Sequence, residues 1–277
     1  MKLKRAVLLL LIGITLHPCA GGAFVPQTPH LLHLVIQSIR QPAGAVAFQT
    51  KTLTSGTLAA QIEPVTVREK LAYLSPNQIR LDSLTGGAAA FSLESGFNFI
   101  RVAAGHTVAR SKSFLDFYTD ALFYRDYESF STRLSLSGID VSQVTLQRFE
   151  DRIYWVVGAP GEPGQPFPGL WIEKESFRPV RYLVRRGEDL VESRYSGWRK
   201  ISQSWFPSQI RIFTNDQLSA VVEMGDIRLE TGFEKGLFDL DRAAGLYPEI
   251  QPLPKDPDTG SGDELDRRIE EFNKLLN

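Results

Sequence analysis

Apolar and polar residues alternate along most of the chain between residues 45 and 230, with the two-residue period of β-strands. Gly-rich and Pro-Asn turns separate the alternating segments. Few helical patterns intervene, so consecutive segments are expected to pair in an antiparallel sheet of roughly eleven strands. The predicted strands are 45–53, 57–63, 65–74, 78–83, 88–93, 98–102, 144–149, 153–158, 169–173, 180–185, 190–198, 209–213, 218–224 and 227–230.

Two stretches follow a helical pattern instead. Residues 29–40 are apolar around most of a helical surface, which is typical of a buried helix, and Gln41-Pro42 ends the pattern. Within 113–130 the aromatic residues recur at helical spacing, with Ser113 as the expected N-terminal cap. The expected architecture is therefore α+β, a single antiparallel sheet with two or three helices packed against it.

The first 23 residues have the pattern of a secretory signal peptide. Positive charges at Lys2, Lys4 and Arg5 precede the short apolar run 6–16, and small residues follow near Ala23. Cleavage after Ala23 would give an exported, periplasmic chain that starts at Phe24. A retained membrane anchor is the alternative interpretation.

Cys19 offers a second processing route. It follows Leu16-His17-Pro18, and a bacterial lipoprotein would be lipidated at such a cysteine. Pro18 stands where a small residue is expected, which argues against lipidation of Cys19 and so against an outer-membrane lipoprotein. Cleavage after Ala23 would remove the chain's one cysteine and with it any thiol chemistry.

The region after residue 240 changes character. Four prolines between 248 and 257 predict an extended linker over 241–260. Residues 261–277 predict a short amphipathic helix, which begins with a capping pair and carries one apolar stripe: Leu265, Ile269, Phe272 and Leu276. We expect this helix to be a docking element for a partner or for the cavity mouth, and to be dispensable for folding.

Charge and side-chain chemistry exclude several function classes. The net charge of −1 becomes about −4 without Lys2, Lys4 and Arg5, which leaves no basic field for nucleic acid. His30 and His33 lie one helical turn apart but lack a nearby carboxylate, so no metal is expected. There is no Gly-x-Ser-x-Gly motif, and the carboxylates of the strands are interpreted as facing solvent. We therefore expect no catalytic residue, although a secreted hydrolase remains an alternative.

One face of the predicted sheet is strongly apolar. Such a face either is filled by its own side chains or encloses a cavity beneath a helical lid, and the sequence leaves both possibilities open. If it encloses a cavity, strand alternation and the lid pattern place these residues around an apolar ligand: Phe114, Phe117, Tyr118, Trp155, Val180, Tyr182, Val184, Ile210, Ile212, Val222 and Met224.

Several segments resemble the LolA/LolB-like family of periplasmic lipoprotein carriers and outer-membrane lipoprotein-sorting proteins. The matching segments are Leu170-Trp171-Ile172-Glu173-Lys174-Glu175-Ser176-Phe177-Arg178-Pro179-Val180, Tyr195-Ser196-Gly197-Trp198-Arg199-Lys200, Trp205-Phe206-Pro207-Ser208-Gln209-Ile210 and Gly232-Phe233-Glu234-Lys235-Gly236-Leu237-Phe238-Asp239-Leu240. The opening helix and Pro76-Asn77-Gln78-Ile79-Arg80 fit more loosely. LolA carriers have an Arg before the Pro-Asn pair, where this chain has Ser75.

The resemblance implies a lipid-binding domain over residues 24–240. Its sheet would curve into an incomplete β-barrel capped by helices, and the concave face would hold lipoprotein acyl chains or lipid without a cofactor. The implied function is non-covalent transport toward the outer membrane, and an inner- or outer-membrane protein is a possible partner. A sensor of the same fold, which reads acyl chains and signals to a membrane partner, is the alternative.

The processing pattern makes a direct prediction. Because Pro18 disfavours lipid attachment at Cys19, the exported protein should begin near Phe24 and carry no acyl group. The intact mass of the exported protein, measured by mass spectrometry, checks this. A mass that includes acyl groups on Cys19 would instead identify an anchored lipoprotein.

Overall fold

The computed structural model describes residues 25–54, 63–86, 88–124, 126–162 and 164–249. The predicted signal peptide 1–23, most of the predicted strand 57–63 and the predicted helix 261–277 lie outside these residues. Within the described ranges, no helix has both the length and the apolar character that are needed to cross a membrane.

A single large antiparallel sheet organises the chain. Thirteen of the strands join it in the order β6-β5-β4-β3-β2-β1-β15-β14-β11-β10-β9-β8-β7, and β12 and β13 form a separate hairpin. The sheet is not closed into a barrel, since β6 and β7 are its two edges. The strands are β1 Gly44–Leu53, β2 Val65–Leu74, β3 Gln78–Ser83, β4 Phe91–Ser95, β5 Asn98–Ala103, β6 His106–Ala109, β7 Val144–Phe149, β8 Arg152–Val157, β9 Gly169–Ile172, β10 Pro179–Arg186, β11 Asp189–Ser196, β12 Arg199–Ile201, β13 Ser204–Phe206, β14 Gln209–Thr214 and β15 Gln217–Leu229.

Helices flank both faces of this sheet. They are α1 Thr28–Ile39, a 3-10 helix Phe114–Ala121, α2 Tyr127–Leu136 and α3 Leu240–Leu246. Polar side chains satisfy free backbone N–H groups where three of them begin. Ser113 accepts from the amide of Leu115, Asp126 from that of Ser129, and Asp239 from that of Arg242. The α+β class and the large antiparallel sheet predicted from the sequence are confirmed.

The main hydrophobic core lies between α1, the 3-10 helix and α2 on one side and the face of the sheet that they cover. We call this covered face the inner face. Leu31 and Val35 of α1 and Phe130 of α2 are buried there against strand residues such as Ile210 and Val222. The alternation of each strand directs every second side chain toward this core, which is why the sequence pattern predicts it.

The opposite face, the outer face, carries two smaller clusters. Over β2, β4 and β5, Phe238 and Ala243 pack on Leu93, Ile100 and Val102. Over β8 to β10, Trp171 and Leu183 are buried in a second cluster, against which Phe167 of the Pro- and Gly-rich loop packs. The sheet is therefore covered on parts of both faces.

The predicted linker 241–260 begins too early. Residues 240–246 form α3, and Ala243 of this helix is buried against the outer face. Beyond α3, the Oγ1 of Thr107 donates to the carbonyl of Tyr247 at 2.5 Å, and the amide of Thr107 donates to the carbonyl of Pro248 at 3.2 Å. The folded domain thus extends at least to residue 249. The apolar face of α3 packs on the sheet, and the proline-rich segment begins only after this helix.

This arrangement predicts that truncation after Leu240 is damaging. Loss of α3 would expose Ile100 and Val102, so the melting temperature should fall by roughly 5 °C or more relative to a chain truncated after Glu249. Circular dichroism melting curves of the two truncated chains check this. Equal melting temperatures would show that α3 contributes nothing to the fold.

Candidate functional site

The 3-10 helix and α2 form a lid across the inner face. Seven of the eight residues of the 3-10 helix, from Leu115 to Ala121, are buried, and the helix contacts β10, β11 and β14. Two tyrosine hydroxyls from the sheet bind it. Tyr195 donates to the carbonyl of Tyr118 at 2.8 Å, and Tyr182 donates to a carboxylate oxygen of Asp120 at 3.4 Å.

The structure brings together ten of the eleven residues that the sequence predicts to line an acyl site. Phe117, Tyr118, Tyr182, Val184, Ile210, Ile212, Val222 and Met224 belong to the main core, and Phe114 and Trp155 pack against it. Whether any of them contacts a ligand stays a prediction.

Val180 is placed differently. It packs against the outer cluster with Trp171 and Leu183, not against the main core. The ladder between β9 and β10 shifts register between Pro179 and Arg181, which marks a β-bulge or irregularity. A bulge breaks the simple alternation of faces, so counting by two from Tyr182 misplaces Val180.

Most of the predicted site is packed shut beneath the lid. The side chains of Tyr182, Ile210, Ile212 and Val222 are fully buried. None of the eleven predicted residues lines the open pocket of the inner face, which lies nearer the other edge of the sheet.

That open pocket, called the inner pocket here, has a volume of about 240 Å³. It lies between the start of the 3-10 helix and strands β1 to β5. Its walls are largely apolar, with Leu53, Val67, Leu81, Ala103 and Leu115 among them. A pocket below the range of about 300–1,000 Å³ that is usual for drug-sized ligands has room for only a small apolar group.

A buried ion cluster forms one wall of the inner pocket. The Nζ of Lys51 lies 2.7 Å from a carboxylate oxygen of Asp116 and 3.0 Å from one of Glu69. Its side chain is only 7% exposed. Desolvation opposes the charged amine, but the two carboxylates outweigh it and raise the pKa of Lys51 above its ordinary value. The cluster therefore ties the first turn of the lid to β1 and β2.

Gln49 extends this cluster toward the main core. Its Nε2 donates to Glu69 and to the hydroxyl of Tyr118, each at 2.7 Å. Burial raises the pKa of the Tyr118 hydroxyl, which therefore stays protonated. The polar chain Lys51, Glu69, Gln49 and Tyr118 thus separates the inner pocket from the closed core beneath the lid.

A second buried cluster holds the far end of the lid. Lys112 lies 2.8 Å from a carboxylate oxygen of Glu94 and 2.5 Å from one of Asp120. Arg133 of α2 pairs with Glu94 and donates to the hydroxyl of Tyr124 at 2.7 Å. Both lid helices are consequently attached to β4 by charge-assisted hydrogen bonds.

These clusters correct the interpretation that strand carboxylates face solvent. Glu94 of β4 and Glu192 of β11 are buried, and Glu69 of β2 is nearly so. The sequence alternation does indicate burial of Glu69, because Glu69 lies on the same side of its strand as the core residues Leu71 and Tyr73. A charge at an inward position of a strand needs a buried partner, and the sequence does not show where that partner lies.

Other chemistry is sparse at the inner face. Among the described residues, no group of three or more His, Cys, Asp or Glu side chains is placed to hold a metal ion. His30 and His33 are exposed on α1, and the ring of His33 stacks on Tyr127 at 5.3 Å.

Removal of the amine at the first cluster should destabilise the protein. Lys51→Met would leave Asp116 and Glu69 buried without their cation, so the free energy of unfolding should fall by about 3 kcal/mol. Urea-induced unfolding measures it. Arg110→Met is the matched control, because the Arg110–Glu249 pair is well exposed and such pairs contribute about 1 kcal/mol or less. Equal effects of the two substitutions would contradict a structural role for the Lys51 cluster.

The fold has counterparts among solved structures. A LolA superfamily protein from Nitrosomonas europaea superposes with a TM-score of 0.54 at 13% identity, over 78% of this chain and 99% of that one. An outer membrane lipoprotein-sorting protein domain from Vibrio parahaemolyticus gives 0.51 at 13% identity, over 78% and 97%. A DUF1329 family protein from Desulfovibrio piger gives 0.50 at 10% identity, over 78% and 97%.

Sequence comparison adds no closer relationship. No protein-family model matches the chain, and no curated protein matches it in sequence. At 10–13% identity, the structural likeness bears on the fold alone. The resemblance suggested by the sequence is confirmed at the level of fold: this chain shares the fold of the LolA superfamily protein from Nitrosomonas europaea.

Proposed function

We propose that this protein binds the acyl chains of a lipoprotein or lipid on its inner face and carries them through the periplasm toward the outer membrane. The observation that carries the proposal is the inner pocket, an apolar opening on the lid-covered face of a LolA-like sheet. The lipoprotein-sorting domain from Vibrio parahaemolyticus shares this fold, which supports the same class of cargo.

The chemistry of the pocket suits the end of an acyl chain. Burial of each methylene contributes about 0.8 kcal/mol, and no directional contact is required. With about 240 Å³, the pocket has room for a short length of one chain and not for a complete diacyl group. Longer cargo must therefore extend into space that the lid now covers.

The ion cluster of Lys51, Glu69 and Asp116 stands between the pocket and that space. If the first turn of the lid moved away from β1, an acyl chain in the pocket could continue toward Tyr118 and Tyr182. In this proposal, the predicted residues of the main core line the cavity only with the lid displaced. Val180 is left out, because it lies on the outer face.

Filling the inner pocket should prevent binding. Ala103 lines the pocket, so Ala103→Phe would occupy the volume that a chain end needs. The affinity for a fluorescent fatty acyl probe should fall at least about ten-fold, measured by fluorescence titration of the full chain. Ala109→Phe is the matched control, since Ala109 lies on the edge strand β6 outside the pocket lining.

Two results of this binding experiment would contradict the proposal. If the wild-type protein does not bind the probe, the proposed function is wrong. If Ala103→Phe binds as tightly as Ala109→Phe and the wild type, acyl chains do not enter through the inner pocket.

A further inference from the structure

A larger groove lies on the outer face and has no part in the proposed acyl site. Its volume is about 910 Å³. One wall is the β4–β5 hairpin, and the other is the segment 231–241, called the strap here, which includes the first two residues of α3. This volume falls within the range of about 300–1,000 Å³ that is typical of small-molecule sites.

The groove presents an aromatic ring beside polar side chains. Phe97, at the turn of the hairpin, lines the groove and is 40% exposed. The guanidinium of Arg133, which belongs to the buried lid cluster and does not line the groove, lies 5.0 Å from the centre of the Phe97 ring. Asn98 follows Phe97 on the rim and is also exposed, and Gln78 and Ser95 line the same wall. The aromatic surface is therefore surrounded by groups that can donate and accept hydrogen bonds.

The charges along the groove have mixed sign. Arg110 and Lys235 are its cations, and Glu234, Asp239 and Asp241 are its anions. Arg110 is already paired with Glu249 at 2.7 Å. Without an excess of positive charge, the groove does not favour a phosphate or another anion, and its charged rim does not favour an acyl chain.

We propose that this groove binds a short, uncharged oligosaccharide. Sugar hydroxyls both donate and accept hydrogen bonds, so they can satisfy the carboxylates, the amides and the cations of one mixed rim. The apolar C–H face of a pyranose ring can lie on the exposed Phe97 ring, which offers a flat apolar surface. Asn98 and Asp241 then contact the hydroxyls from the hairpin and from the strap.

The groove rests on buried residues of the outer face and on the cap of α3. Beneath it, Phe238 is buried with Leu93 and Ile100 on the outer face. Asp239 caps α3 by accepting from the amide of Arg242 at 2.9 Å, which fixes the strap at the start of the helix. The groove and the inner pocket lie on opposite faces of the sheet, so sugar binding is independent of acyl binding.

Isothermal titration calorimetry of the full chain tests this inference, with N-acetylglucosamine trimer and maltotriose as probes. The trimer represents the acetamido sugars of cell-wall glycan, and maltotriose represents plain glucans. At least one should bind with a dissociation constant below about 1 mM. Phe97→Ala and Asn98→Ala should each weaken that binding by about ten-fold or more.

Leu146→Ala is the matched control, because Leu146 is 37% exposed on the edge strand β7, outside the groove. It should leave sugar binding unchanged. Asn98→Ala removes an exposed amide, so its melting temperature should equal that of the wild type, which separates lost contact from lost folding.

Three results would overturn the inference. The first is the absence of binding by either sugar in a protein that still binds the acyl probe. The second is sugar binding that survives both Phe97→Ala and Asn98→Ala. The third is tighter binding of the mixed-charge peptide Ala-Lys-Asp-Ala than of either sugar, which would assign the groove to peptides.

Discussion

The position of the lid depends on buried charges that must be neutralised. Asp116 and Asp120 lie four residues apart in the 3-10 helix, and both are buried. An unpaired carboxylate at such a depth would cost several kcal/mol, so each must meet a cation wherever the helix packs. Lys51 of β1 meets the first, and Lys112, which also pairs with Glu94 of β4, meets the second. These two contacts fix the lid over one particular part of the sheet, whereas apolar packing alone would tolerate a range of positions.

Such contacts suit the lid opening that the proposed acyl binding requires. The attraction within a buried ion pair is largely offset by the cost of removing both ions from water, so a well-formed pair contributes little net free energy compared with apolar packing. If the lid opens and water enters, both ions of a separated pair become hydrated again. Each acyl methylene that enters contributes about 0.8 kcal/mol, so a chain of ordinary length can offset the separation of a few such contacts. The ion clusters thus favour the closed lid by specific geometry without a large energetic barrier against cargo.

The sequence predicts the sheet well, because period-two alternation is a direct consequence of burying one face. The predicted segments 65–74 and 78–83 coincide with β2 and β3. Prediction fails where a local feature interrupts the period, as with Val180 beside the register shift in β10. It also separates 218–224 from 227–230, although Gly225 and Asp226 continue the single strand β15.

The candidate site was harder to predict, because the sequence shows which side chains point inward but not which of them meet in the folded protein. The alternation shows that Lys51 and Glu69 point inward, but only tertiary structure shows that Asp116, 65 residues from Lys51 along the chain, pairs with the same amine. The same limit applies to volume, because the apolar residues that fill the main core and those that border the inner pocket have the same sequence pattern. Tyr182 and Leu81 both occupy inward positions, and the lid covers the first while leaving an opening beside the second. Where a cavity forms is therefore decided by how far the lid reaches across the sheet, and its charged anchors set that reach.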